Sequence, residues 1–194
     1  MEKIYKPITI ERRKPRILFD QDDVLFDFMG ELIRRHNKHT GENRLVEECL
    51  TWDIEKYYGR EIMDIIKAPG FFRDLPPKAK SLETFERMYL SGDYDIRIVT
   101  SVMSHGYSGK IESILKNMPY FDLKHFIACS DKGSVWGDYL IDDGLHNQKS
   151  FEGIGTGILF DMPHNRLCND YVRVSTLEEA EKFIKMDWEA RLCA

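Results

Sequence analysis

The sequence predicts an α/β fold, with a mostly parallel sheet and a small helical cap inserted after the first core strand. Three observations lead there. A short apolar run, Ile17-Leu18-Phe19, reads as a buried strand and ends in carboxylates at Asp20 and Asp22. Five more strand-like runs follow from residue 96 onward, with helical segments between them, as in parallel sheets covered on both faces. Between the first strand and the second lies a long stretch of helical pieces with no strand signal.

The elements are predicted in order. Residues 1–15 are polar and form a loose arm or an added edge strand, with Arg12-Arg13-Lys14 solvating the entry to the first strand. After that strand, Val24 to His39 has apolar residues at helical spacing and stops before Gly41. A further helical piece spans Glu55–Lys67, and Pro69-Gly70 and Pro76-Pro77 interrupt the chain. Strands are then expected over Ile96–Thr100, His125–Cys129, Tyr139–Asp142, Gly157–Phe160 and Tyr171–Val174. Helices are expected at Lys110–Asn117 and Thr176–Met186, the latter opened by a capping box of Ser175 or Thr176 with Glu178 or Glu179. The division is an arm at 1–15, a core of 16–27 and 78–194, and a cap of 28–77.

Composition narrows the function. The 194 residues are 42% hydrophobic and 12% aromatic, enough for one packed core. A net charge of -5 leaves no basic face for a nucleic-acid polymer. The four cysteines are scattered without a C-x-x-C pair, as in a reducing cytoplasmic protein, and no apolar stretch has the length of a membrane span.

Chemistry-bearing residues recur at strand ends, where open α/β sheets bind ligands. A carboxylate there can attack phosphorus, ligate a hard cation or carry protons. Asp20 and Asp22 end the first strand; Thr100 and Ser101, whose hydroxyls can bond phosphate oxygens, end the second. Lys132 follows the third and can neutralise a phosphate, and Asp142-Asp143 end the fourth, completing a carboxylate set for Mg²⁺. A calcium loop is excluded because Val24 would fall at a ligand position. The glycine-rich run Gly153-Ile154-Gly155-Thr156-Gly157 precedes a strand and fails the dinucleotide fingerprint.

With these motifs the chain resembles the haloacid dehalogenase superfamily of phosphotransferases, which implies a Rossmann-like core. The segments Pro69–Pro77, Ile98–Ser101, Asp131-Lys132, Asp138–Asp143 and Ile158–Phe160 with Asn165 resemble the 5'(3')-deoxyribonucleotidase family. Gln21 departs from the apolar residue usual there, and Asp23 sits where Gly or Glu is common.

The resemblance implies a magnesium-dependent phosphomonoesterase acting on deoxyribonucleoside monophosphates. Asp20 would attack phosphorus, and Asp22 would protonate the leaving oxygen and then deprotonate water. Mg²⁺ would be held by Asp20, the Asp22 carbonyl and one member of the acidic pair. Asp143 is taken as that ligand, with Asp142 orienting Lys132, although the residues leave the choice open. Thr100, Ser101 and Lys132 would hold the phosphoryl oxygens. Phe26, Trp52, Phe71 and Phe72 are the candidates for a base pocket.

The expected partner is a small-molecule nucleotide, with no nucleic-acid polymer and no membrane; a homodimer is left open. The rivals are a phosphatase of the same superfamily acting on a sugar phosphate, and a catalytically silent nucleotide-binding protein. A signalling receiver uses similar residues, but its acidic pair comes first and its phosphorylated aspartate later, the reverse of the order here.

Overall fold

A computed structural model describes residues 13–193. The rest of the expected arm, residues 1–12, lies outside the described residues. The six strands are β1 (Arg16–Phe19), β2 (Asp95–Thr100), β3 (Phe126–Ala128), β4 (Tyr139–Asp142), β5 (Thr156–Phe160) and β6 (Val172–Val174). All pair in parallel, in the order β3-β2-β1-β4-β5-β6. The chain therefore builds outward from β1 on one side and then crosses to build outward on the other. The crevice between the carboxyl ends of β1 and β4 is the switch point of the sheet, the place where such folds bind ligands.

Side-chain alternation along β1 divides the core in two. Ile17 and Phe19 join a large cluster with Phe85 of α4 (Ala79–Ser91), Ile114 of α5 (Tyr107–Asn117) and Ile184 of α7 (Leu177–Cys193). Leu18 faces the other way and packs with Val99, Leu140 and Phe151, the last from α6 (Leu145–Phe151). A strand buried on both faces has no polar alternation, which is why these strands read as plain apolar runs.

Residues 28–77 carry α1 (Phe28–Thr40), α2 (Ile54–Tyr58) and α3 (Ile62–Lys67). The two ends of this excursion are joined: Phe26 bridges Pro77, Asp27 N donates to Pro76 O at 2.8 Å and Lys78 N donates to Leu25 O at 2.9 Å.

The first helix starts later than its periodicity predicts. Residues 21–26 instead form a tight turn, in which the amides of Leu25 and Phe26 both donate to Gln21 O at 3.0 Å. Asp23 takes φ 56° there, a left-handed conformation that aspartate tolerates better than most side chains. Asp27 then caps α1 by accepting from Gly30 N. A Cβ on Gly30 would stand 2.2 Å from the Asp27 carboxylate, so this cap requires glycine.

Other expectations are amended. The Glu55–Lys67 segment is two helices, broken at Gly59 with φ 86°. Helices α4 and α6 had no sequence forecast, and α7 runs seven residues beyond Met186. At its start Thr176 Oγ1 accepts from Glu179 N, while the Glu179 carboxylate reaches Ser175 N. Arg13 does not merely solvate the strand entry; it forms a two-pronged pair with the buried Asp138, at 2.6 and 2.8 Å.

Candidate active site

β1 ends at Phe19, and the chain turns at once, because Asp20 N donates 2.9 Å to Ile141 O on β4. This holds Asp20 beside the carboxyl end of β4, where Asp142 and Asp143 follow. One carboxylate oxygen from each of Asp20, Asp142 and Asp143 lies within 4.8 Å of the others, and all three residues are buried.

Lys132 neutralises part of this cluster from below. Its Nζ lies 2.6 Å from Asp20 Oδ1 and also hydrogen-bonds Asp142. The turn carrying Lys132 packs closely on α6: a Cβ on Gly133 would stand 2.3 Å from Ser150 O. Burial works against the charge of Lys132, but Asp142 and Asp20 outweigh it and hold the ammonium above its ordinary range.

Asp142 is fully occupied. Beside Lys132 it accepts from Gly144 N at 2.8 Å and from Asn147 Nδ2 at 3.0 and 3.1 Å. Asp143 is differently placed. Its carboxylate lies 3.2 Å from His164 Nε2 and faces the cavity, while its carbonyl accepts from Asn165 Nδ2 at 2.9 Å. Three clustered carboxylates with one lysine partner between two of them are a hard-oxygen donor set that fits a divalent cation.

A cavity of about 800 Å³ opens over Asp20, Asp22 and Asp143. Its core side includes Thr100, Ser101, Ser130 and Lys110. Residues 28–77 supply a largely apolar wall of Phe28, Met29, Ile54, Met63, Ile66 and Phe72, with Trp52 at its margin.

Trp52, half exposed, sits against His146 and His164 at ring separations of 4.8 and 4.9 Å. The rings of Phe28 and Phe72 stack at 6.1 Å.

Asp22 has a lysine of its own. Lys110 Nζ donates to Asp22 Oδ2 at 2.9 Å, to Thr100 Oγ1 at 2.7 Å and to Ser101 O at 2.8 Å. Burial nonetheless raises the Asp22 carboxyl above its ordinary range; Lys110 opposes that rise and the charge of Asp20 adds to it. Burial thus favours the protonated form of Asp22, and a carboxyl facing the cavity can give up a proton and take one back.

The structure thus brings Asp20, Asp22, Thr100, Ser101 and Asp143 to one cavity. Lys132 lies behind Asp20, off the cavity wall, and the lysine at the wall is Lys110. Its signal in the sequence was spacing: Lys110, Ser113 and Ile114 share the buried face of α5.

Phe26 and Phe71 do not line the cavity. Both are fully buried: Phe26 is locked in the bridge to Pro77, and Phe71 packs edge-on against Phe28 and Phe72. Trp52 and Phe72 do line it, and Phe28 joins them in place of Phe26.

A family model described as 5' nucleotidase, deoxy (pyrimidine), cytosolic type C matches residues 14–192. The chain belongs to this family. It is a phosphatase.

A 5'(3')-deoxyribonucleotidase of Bacillus subtilis is 31% identical over 173 residues, covering 87% of this chain and 98% of the relative. One from Clostridium acetobutylicum is 33% identical over 172 residues, covering 87% and 93%.

Among solved structures, a haloacid dehalogenase-like protein of Agrobacterium tumefaciens superposes with a TM-score of 0.59 at 15% identity, covering 90% of this chain and 99% of that one. A haloacid dehalogenase-type hydrolase of Bacillus subtilis, solved with magnesium bound, gives 0.54 at 14% identity, covering 90% and 100%. The fold is haloacid dehalogenase-like. Among the described residues no helix is long and apolar enough to cross a membrane.

Proposed function

We propose that the protein hydrolyses deoxyribonucleoside monophosphates to deoxynucleoside and phosphate, through a phosphoryl group carried on Asp20. The observation that carries this reading is the cavity itself. Two carboxylates with separate lysine partners and an apolar, aromatic wall line the same cavity.

Asp20 is the nucleophile in this reading, held at the end of β1 by its amide bond to Ile141 O. Asp22 gives its proton to the leaving nucleoside oxygen, then takes one from the water that cleaves the acyl phosphate. Thr100, Ser101 and Lys110 face the transferring oxygens, while Lys132 compensates the charge of Asp20 from behind. Asp20 and Asp143 would hold Mg²⁺, with the Asp22 carbonyl as a further oxygen, and Asp142 fixes Lys132. The cation would supply charge neutralisation at the phosphoryl oxygens. The base would lie among Phe28, Phe72 and Trp52, whose rings offer stacking or edge contact.

The test is phosphate release from a panel of 5'- and 3'-deoxyribonucleotides, ribonucleotides and sugar phosphates, with Mg²⁺ or with EDTA. Magnesium-dependent release concentrated on deoxyribonucleotides supports the reading. Turnover of sugar phosphates alone overturns the substrate, and no turnover of any phosphate overturns the reaction.

A further inference from the structure

Gln21 lies between the two carboxylates of the proposed reaction, yet it is fully buried and does not line the cavity. Its carboxamide points to α5: Nε2 donates to the carbonyl of Lys110 at 3.2 Å. Its backbone carbonyl accepts from Leu25 and Phe26 and so closes the turn that carries Asp22. One residue thus holds both the turn bearing Asp22 and the helix position from which Lys110 reaches back to it. Among the described residues no other hydrogen bond ties the α5 backbone to this turn.

Lysine has a long flexible stem, so three acceptors at its head locate it only if its base is also located. The head of Lys110 meets Asp22, Thr100 and Ser101, with the Phe72 ring 5.2 Å away. We propose that Gln21 is a positioning residue: its bond to the Lys110 carbonyl sets the first turn of α5 so that Lys110 engages Asp22 and Thr100. This rests on the reaction proposed above for Asp22.

The other half of the carboxamide separates this role from a structural one. Gln21 Oε1 is buried without a hydrogen-bond partner. A buried acceptor left unpaired disfavours folding, so an apolar side chain of the same length should not weaken the fold. Gln21→Met removes the bond to α5 and the unpaired oxygen together. Catalysis and stability are then expected to move apart.

The experiment is a double-mutant cycle of Gln21→Met and Lys110→Met, reading kcat, KM and Tm on the best deoxyribonucleotide, with a crystal structure of Gln21→Met. Gln21→Met is expected to lower kcat at least roughly threefold, with KM within about twofold and Tm unchanged or higher. In the Lys110→Met background it should cause no further loss, and in the crystal structure Lys110 Nζ should stand beyond hydrogen-bond reach of Asp22. An unchanged kcat, an equal loss in both backgrounds, a loss accompanied by a lower Tm, or Lys110 still bonded to Asp22 would each overturn the inference. If the wild type hydrolyses no phosphate ester, the proposed function fails, and the position of Lys110 in the crystal structure alone decides the role of Gln21.

Discussion

The ammonium of Lys132 stands 2.6 Å from the carboxylate of Asp20, and both groups are withdrawn from solvent. The same nitrogen holds Asp142, so one cation balances two acids that end neighbouring strands. A buried lysine here stabilises only because both acids are present; without it they face each other at short range.

Lys132→Met should therefore destabilise the fold by ~3–5 kcal/mol, the usual cost of removing one partner from a buried pair. Urea unfolding checks this. Adding Asp142→Asn to Lys132→Met should recover part of the loss, because it removes one of the two stranded charges.

Asp142 and Asp143 should separate in a magnesium titration. Asp142 spends its oxygens on Lys132, Gly144 and Asn147, whereas Asp143 faces the cavity. Asp143→Asn should raise the Mg²⁺ concentration needed for half-maximal activity more than Asp142→Asn does, while Asp142→Asn should cost more stability. The reverse ordering would exchange their roles.

Phe26 and Trp52 should behave oppositely. Phe26 is fully buried where the two ends of the excursion meet, so Phe26→Ala should cost ~3–5 kcal/mol. Trp52 is half exposed at the cavity margin, so Trp52→Ala should cost about 1 kcal/mol or less. It should instead raise KM for nucleotides. Thermal melts and steady-state kinetics on the two variants decide the matter.

Glu31 supplies a pH-dependent part of stability. Its carboxyl is held below the ordinary range by hydrogen bonding to Arg34 and also to Arg35, against the opposing effect of burial. A carboxyl depressed in the folded state stabilises fully above its unfolded pKa and loses that contribution as pH falls through the folded value. Glu31→Gln should thus be less stable than wild type by ~1 kcal/mol at neutral pH, with the gap closing in acid. Denaturant unfolding across pH measures the difference.

The strands were legible because parallel strands buried on both faces appear as uninterrupted apolar runs, and the acids at their ends stood out against them. Helix α4 was less visible. Its buried positions, Ser81, Thr84, Phe85 and Met88, include two hydroxyl residues and so blur the apolar stripe. The aromatic wall was only half legible. A left-handed turn at Asp23 decides that Phe26 points into the core and Phe28 into the cavity, and periodicity continued through Val24 gives no warning of it. Lys110 was hidden for another reason: a lysine is buried only when acceptors meet it, and its three come from two distant strand ends.

Two displacements at phosphorus, first by Asp20 and then by water, distinguish the proposed route from direct attack by water. The stereochemical course measures this most directly, using a deoxyribonucleoside thiophosphate made chiral with oxygen isotopes and hydrolysed in isotopically labelled water. Each in-line displacement inverts phosphorus, so transfer through Asp20 predicts net retention. Net inversion would contradict it.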